Sequence, residues 1–183
     1  MGNRRQVGSN FSRALLHERA SRSPPRGQHL CPGSSGFERR PRRSKKNALG
    51  RSRGGITTKI HAAVDQAGRP HSLAVSASTL HDVRVAIPIL GRRRPRAYVA
   101  DRAYDSKALR KRLRSRGIKP VIPGRANRLA PIRFDKRLYR KRFNVECFFH
   151  QLKRWRKVAT RFEKRAGTFL SVVLVAAIGI LTK

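Results

Sequence analysis

The sequence predicts a mixed α/β layered domain behind a basic leader, on three observations. From Gly50 onward, turn-bounded apolar runs with partial period-2 alternation are interleaved with stretches whose apolar residues recur at period 3.6. Residues 1–43 are dominated by Arg, Ser, Pro and Gly (SRSPPRG, CPGSSG, ERRPRR) and hold neither period beyond Phe11 to Leu16. Finally, 183 residues at 38% hydrophobic content suffice for one core in the C-terminal two-thirds.

The elements follow in order. Ile56 to Val64 (ITTKIHAAV) and His71 to Ser78 (HSLAVSAS) flank the turn Asp65-Gln66-Ala67-Gly68-Arg69-Pro70, which predicts a β-hairpin with a longer loop. Asp82 is placed to cap a short helix, Val83 to Leu90, with Gly91 at its exit. Arg96 to Asp101 (RAYVAD) reads as a short apolar strand. Ser106 caps a basic helix running to about Arg116, stopped by Gly117. Lys119 to Pro123 (KPVIP) is another short strand. After a loop rich in Arg, Asn and Pro come a long helix, from about Lys136 to Lys157, and a final apolar helix. The expected order is ββ-α-β-α-β-α-α.

Charge narrows the function classes. Lys and Arg number 45 against 9 acids, a formal net charge of +36. That self-repulsion calls for a polyanion, and nucleic acid gains counterion release at each neutralised phosphate. Two cysteines, Cys31 and Cys147, exclude a disulfide scaffold and a four-cysteine zinc module. No secretory h-region opens the chain. The longest apolar stretch, Phe169 to Leu181, is shorter than the roughly 20 residues needed to cross a bilayer, so no membrane association is expected. The leader cannot bury enough surface to offset its chain entropy and is expected to be disordered. Three readings of it stay open: a basic arm that coats DNA, an Arg- and Ser-rich transit peptide, or an unselected leader.

With so few acids, their positions carry information. Asp101 lies at the carboxyl end of a strand, where α/β sheets hold active groups; a turn or cap role is the bland alternative. Glu146 falls mid-helix among cations, and a surface ion pair with Arg142 or His150 is its bland alternative. At 100° per residue, Tyr139, Arg142, Glu146 and Lys153 share an arc of about 60°. Val145, Phe148, Leu152, Trp155 and Ala159 fall on the opposite side, as a core stripe. A carboxylate flanked by cations on one exposed face suits a metal ligand beside phosphate-contacting groups.

These residues resemble the bacterial insertion-sequence transposases of the DDE class. The signature Y-x2-R-x3-E-x6-K is met by Tyr139, Arg142, Glu146 and Lys153. Ala100-Asp101-Arg102-Ala103-Tyr104-Asp105-Ser106 is similar to the motif bearing the family's second aspartate. Gly50-Arg51-Ser52-Arg53-Gly54-Gly55-Ile56-Thr57-Thr58-Lys59-Ile60-His61 is similar to the family's approach to its second strand. The likeness runs from about Ser44 to the C-terminus.

The resemblance implies an RNase H-like (retroviral-integrase-type) mixed sheet with flanking helices, acting on DNA as a cytoplasmic, nucleoid-associated homo-oligomer. It also implies DNA cleavage and strand transfer with two Mg²⁺ (or Mn²⁺) ions held by two Asp and one Glu. Asp101 and Glu146 would be the second and third acids, catalytic and metal-ligating. Arg142, Lys153 and Tyr139 would sit on the DNA side. The family's first aspartate has no counterpart, since Glu18 and Glu38 lie in sequence without a strand pattern and Asp65 belongs to the hairpin turn.

The expectation is therefore a disordered leader over 1–43 and a partial RNase H-like catalytic domain over 44–183, incomplete because its first strand is missing. The chain then reads as a truncated or frame-shifted remnant, lacking the family's N-terminal DNA-binding region and inactive in cleavage. The alternative is a non-catalytic basic nucleic-acid-binding protein. It is disfavoured because a pure phosphate binder gains nothing from acids at these positions.

Other candidates are weaker. His61, His71 and His81 recur every ten residues, which matches neither a helical face nor a zinc-finger spacing. His150, one turn after Glu146, reads as a solvated helix residue and Cys147 as an inert half-buried thiol. Asp82, Asp105 and Asp135 read as caps or dipole partners.

Overall fold

A computed structural model describes the backbone of residues 12–21, 47–52, 55–128 and 130–182, and side chains over 47–50, 57–128 and 130–182. Six strands form one sheet: β1 (Ser12–Ser21), β2 (Gly50–Ser52), β3 (Gly55–Val64), β4 (Pro70–Ala77), β5 (Ala97–Ala100) and β6 (Lys119–Val121). The helices are α1 (Val83–Leu90), α2 (Lys107–Arg114), α3 (Lys136–Arg140), α4 (Phe143–Lys153), α5 (Arg156–Ala159) and α6 (Ala166–Leu181), with a 3₁₀ turn at Arg102–Tyr104.

β1 stands in the middle of the sheet. It pairs antiparallel with β3, from Ala14↔Val64 to Ser21↔Thr57, and parallel with β5, from Ser12↔Ala97 to Leu15↔Ala100. β5 pairs parallel with β6. The far edge of β3 is shared by β4 and β2, both antiparallel to it. The path is therefore β4-β3-β1-β5-β6, antiparallel on one side of β1 and parallel on the other.

Period-2 alternation sorts the sheet's side chains onto two faces. Ile60, Ala62, Val64, Ala97, Val99 and Val121 pack with Val145, Phe148 and Leu152 of α4 and with Phe169, Val173 and Ala176 of α6. The intervening Ala63, Tyr98 and Ala100 pack with Ala86, Ile89 and Leu90 of α1 and with Leu109 and Leu113 of α2. Two helical layers thus sandwich the sheet.

Much of the expected local structure is present. The hairpin turn is closed by Asp65, whose Oδ1 accepts from the N–H of Ala67 (2.8 Å) and of Arg69 (2.9 Å). Ser106 caps α2 through the N–H of Leu109, and Asp135 caps α3 through that of Leu138. Gly91 and Gly117 end their helices at φ 59° and 71°, backbone that an L side chain rarely adopts.

Several expectations are corrected. The sequence predicts no strand before Gly50 and a sheet lacking its first strand, yet Ser12–Ser21 is a ten-residue strand between β3 and β5. The cause is non-local: pairing on both edges supplies what the composition of this segment does not. One strand of the sheet thus precedes the expected boundary at 43/44. The expected disorder over the rest of the leader falls outside the described residues.

The long helix predicted over 136–157 is interrupted at 141–142 and 154–155. At the first break Lys141, Arg142, Asn144 and Val145 donate to carbonyls three residues back. There Lys141 Nζ bonds Gln66 Oε1 at 2.7 Å and the Asn144 amide bonds the Gln66 carbonyl, tying the segment to the hairpin turn. At the second break Trp155 leaves the core stripe and is 43% exposed. Asp82 does not cap α1 with its side chain; its carboxylate takes the buried Lys59 ammonium at 2.8 Å. Asp105 is no helix cap either, but a buried ion-pair centre.

Candidate functional site

β5 delivers Asp101. Its four residues are all buried, so the strand ends rigidly, and Asp101 follows with extended backbone at φ −78°, ψ 179°. Its Oδ1 accepts the N–H of Ala103 at 2.9 Å and caps the 3₁₀ turn. The bland cap role is therefore real. It occupies one of about four lone-pair sites of the carboxylate, so metal ligation remains compatible with it. Because the backbone stays extended, alternation along β5 assigns Asp101 to the side of Ala97 and Val99, the side that α4 covers.

α4 delivers Glu146. Val145, Phe148 and Leu152 anchor the helix in the core, leaving Glu146 on its partly exposed flank with a side chain 43% exposed. Arg142 Nη2 meets Glu146 Oε1 at 2.6 Å, a charge-assisted pair one turn apart. The same guanidinium lies over the Tyr139 ring, 5.6 Å from its centroid, and that ring meets Phe134 edge-on at 5.2 Å. The half-buried Tyr139 thus braces Arg142, and Arg142 braces Glu146. Lys153 is exposed at the end of α4. The helix break between α3 and α4 leaves this chain of contacts intact.

The four other aspartates, Asp65, Asp82, Asp105 and Asp135, each have structural work. Asp65 holds the hairpin turn, with Arg69 Nη2 at 2.9 Å and His71 Nε2 at 3.5 Å from its Oδ2. Burial alone raises the Asp65 pKa; the N–H and guanidinium of Arg69 and the N–H of Ala67 outweigh it and hold the carboxyl below its usual range. His61 is buried between Ser76 Oγ (2.8 Å) and the Tyr104 hydroxyl (3.4 Å). Burial, then the charges of Asp82 and Asp101, push the Tyr104 phenol far up, so it stays a neutral hydroxyl beside the site. Cavities of about 300 and 470 Å³ lie at Gly68, Asn144 and Cys147 and at Leu73 and Ile89; neither is lined by Asp101 or Glu146.

The family model described as "Transposase DDE domain" matches residues 30–181. The chain belongs to this transposase family. A transposase for insertion sequence element IS6501 of Brucella ovis is 36% identical over 124 residues, covering 66% of this chain and 95% of the relative. A transposase for insertion sequence element IS402 of Burkholderia cepacia is 32% identical over 141 residues, covering 69% of this chain and 64% of the relative. Membership of an insertion-sequence transposase family brings dependence on a divalent metal and action on DNA. No helix among the described residues is long and apolar enough to cross a membrane.

The donor set of the transposase decides how far its residues fit that metal. Asp101 and Glu146 offer hard carboxylate oxygens, which suit Mg²⁺ or Mn²⁺, and one or two carboxylates with waters and substrate phosphates are a usual Mg²⁺ complement. A pair of ions needs a further bridging carboxylate. The register sets Leu15 beside Ala100, hence Leu16 level with Asp101, and the single acid of β1, Glu18, is paired with Ile60. Among the described residues, Asp101 and Glu146 supply donors of a kind that suits one ion, and no cluster of three or more metal-ligating side chains is present to hold a pair.

The sequence missed Arg161, the largest fully buried side chain among the described residues. Its Nη2 donates to the carbonyl of Asn47 at 2.8 Å, its Nε to that of Glu163 at 3.0 Å, and it stacks on Phe169 at 4.9 Å. No helical or strand period marks position 161, so its burial is legible only in three dimensions.

Proposed function

We propose that this transposase chain carries the catalytic-domain core of an RNase H-like fold, in which Asp101 and Glu146 hold a single divalent ion at a DNA-facing site and do not support strand cleavage. The observation that carries this reading is the sheet path β4-β3-β1-β5-β6 with Asp101 at the carboxyl end of β5, next to central β1. Glu146 rides on α4, whose Val145 shares a core cluster with Val99, two residues before Asp101. That common core supports the two carboxylates facing one cleft.

When bound, the ion would supply Lewis-acid stabilisation of a phosphate oxygen. Asp101 and Glu146 would hold it, and the ion pair with Arg142 keeps Glu146 oriented. Arg142 and Lys153 would neutralise phosphates along the α4 face, with Tyr139 limiting the sweep of Arg142. The missing acid at the level of Leu16 withholds the second ion, and with it the paired activation of nucleophile and leaving oxygen. Residues 1–29, β1 apart, would act as a leader outside the catalytic fold, since the family match begins at residue 30. The setting is the bacterial nucleoid, with homo-oligomers on transposon ends.

Mn²⁺ titration followed by electron paramagnetic resonance tests the site. The chain is expected to bind one Mn²⁺ weakly, and both Asp101→Asn and Glu146→Gln to lower the affinity at least tenfold. Unchanged binding in both variants would refute the pairing of these carboxylates.

A further inference from the structure

The loops that leave the parallel neighbours β5 and β6 open at the same end of the sheet, and one buried carboxylate ties them together. Asp105 stands four residues beyond Asp101, with its side chain 2% exposed. Its Oδ1 accepts from Arg110 Nε at 3.0 Å and Nη2 at 2.9 Å. Its Oδ2 accepts from the backbone N–H of Arg125 at 3.0 Å and from Arg128 Nε at 3.1 Å. Arg110, buried itself, also donates from Nη2 to the Ile122 carbonyl at 2.8 Å, where β6 gives way to its loop.

That connection, from Ile122 to Asp135, has no helix or strand among its described residues and carries Arg125, Arg128 and Arg133. Long irregular connections in compact domains usually serve function. Arg125 is exposed, and its guanidinium makes no hydrogen bond among the described residues. The side chain of Arg128 is one-quarter exposed, with part of its fork spent on Asp105. A carboxylate buried under two arginines fixes a cationic turn in place without ordering its outer charges.

We infer that Asp105 is a positioning residue: it holds the Gly124–Arg128 turn beside Asp101 as a clamp for the phosphate backbone of duplex DNA, with Arg125 and Arg128 as the contacting cations. The inference rests on the reading that DNA lies at the Asp101 end of the sheet. It requires neither a metal nor cleavage.

The test is binding of a random-sequence duplex, by fluorescence anisotropy in EDTA, over a series of salt concentrations. Each phosphate contact adds about 0.9 to the slope of log affinity against log salt. Arg125→Ala is expected to lower the slope by about that amount. Arg94→Ala, at an exposed position before β5 at the opposite end of the sheet, should leave it unchanged. Asp105→Asn should lower the slope likewise and speed tryptic cleavage after Arg125. Equal effects of Arg125→Ala and Arg94→Ala, or no effect of Arg125→Ala, would overturn the clamp. If Asp105→Asn does not fold, the Arg125 and Arg94 pair still decides, because both positions are exposed. Since EDTA removes the metal, failure of the Mn²⁺ site and failure of the clamp give separate results.

Discussion

At the scale of residues, the described acids divide into those buried with cations in the fold and those nearer the surface. Asp65 and Asp105 are buried under arginines. Burial raises the Asp105 pKa, but the N–H of Arg125, then the Arg110 guanidinium, then Arg128 outweigh it and leave the carboxyl depressed, as at Asp65. A depressed folded-state pKa gives stability that is present above the unfolded value of 3.8 and lost as pH falls through the folded value. The urea midpoint should therefore fall as pH drops below about 4, and Asp65→Asn should flatten that acid limb while lowering the neutral-pH midpoint. An acid limb unchanged in Asp65→Asn would show that the hairpin carboxylate does not supply this stability. The ion pair of Glu146 with Arg142 is partly exposed and is worth little to folding.

At the scale of elements, Gly50 shows how closely the pieces are fitted. A Cβ there would stand 2.8 Å from the backbone nitrogen of Ser78 and 2.9 Å from that of Thr79. Backbone cannot swing aside, so Gly50→Ala should destabilise the fold by about 1–3 kcal/mol, read from chemical denaturation; a neutral result would mean that β2 and the turn after β4 are not in contact. Elements whose signals are local were legible in the sequence: the hairpin around Asp65, the Ser106 cap, the strand ending at Asp101, and the stripe of Tyr139, Arg142 and Glu146. Elements fixed by distant partners were not. β1 places Arg13, His17, Glu18 and Arg19 among its apolar residues and gains its place only by pairing on both edges. The break at 141–142 likewise depends on Gln66, some 75 positions away, which no window of the sequence contains.

At the scale of the whole molecule, a net charge of +36 and a mixed sheet sandwiched by helices describe a protein built to lie on a polyanion. The family is shown by the match over residues 30–181, and the sheet now has a strand where the sequence alone left a gap. On the reading proposed above, activity turns on the position level with Asp101, which Leu16 holds. The most direct test compares the natural chain with Leu16→Asp for Mn²⁺-dependent cleavage of duplex DNA bearing transposon ends. The natural chain is expected to cleave nothing, and Leu16→Asp to gain an activity that disappears when Asp101→Ala is added. Cleavage by the natural chain that Asp101→Ala abolishes would contradict that expectation.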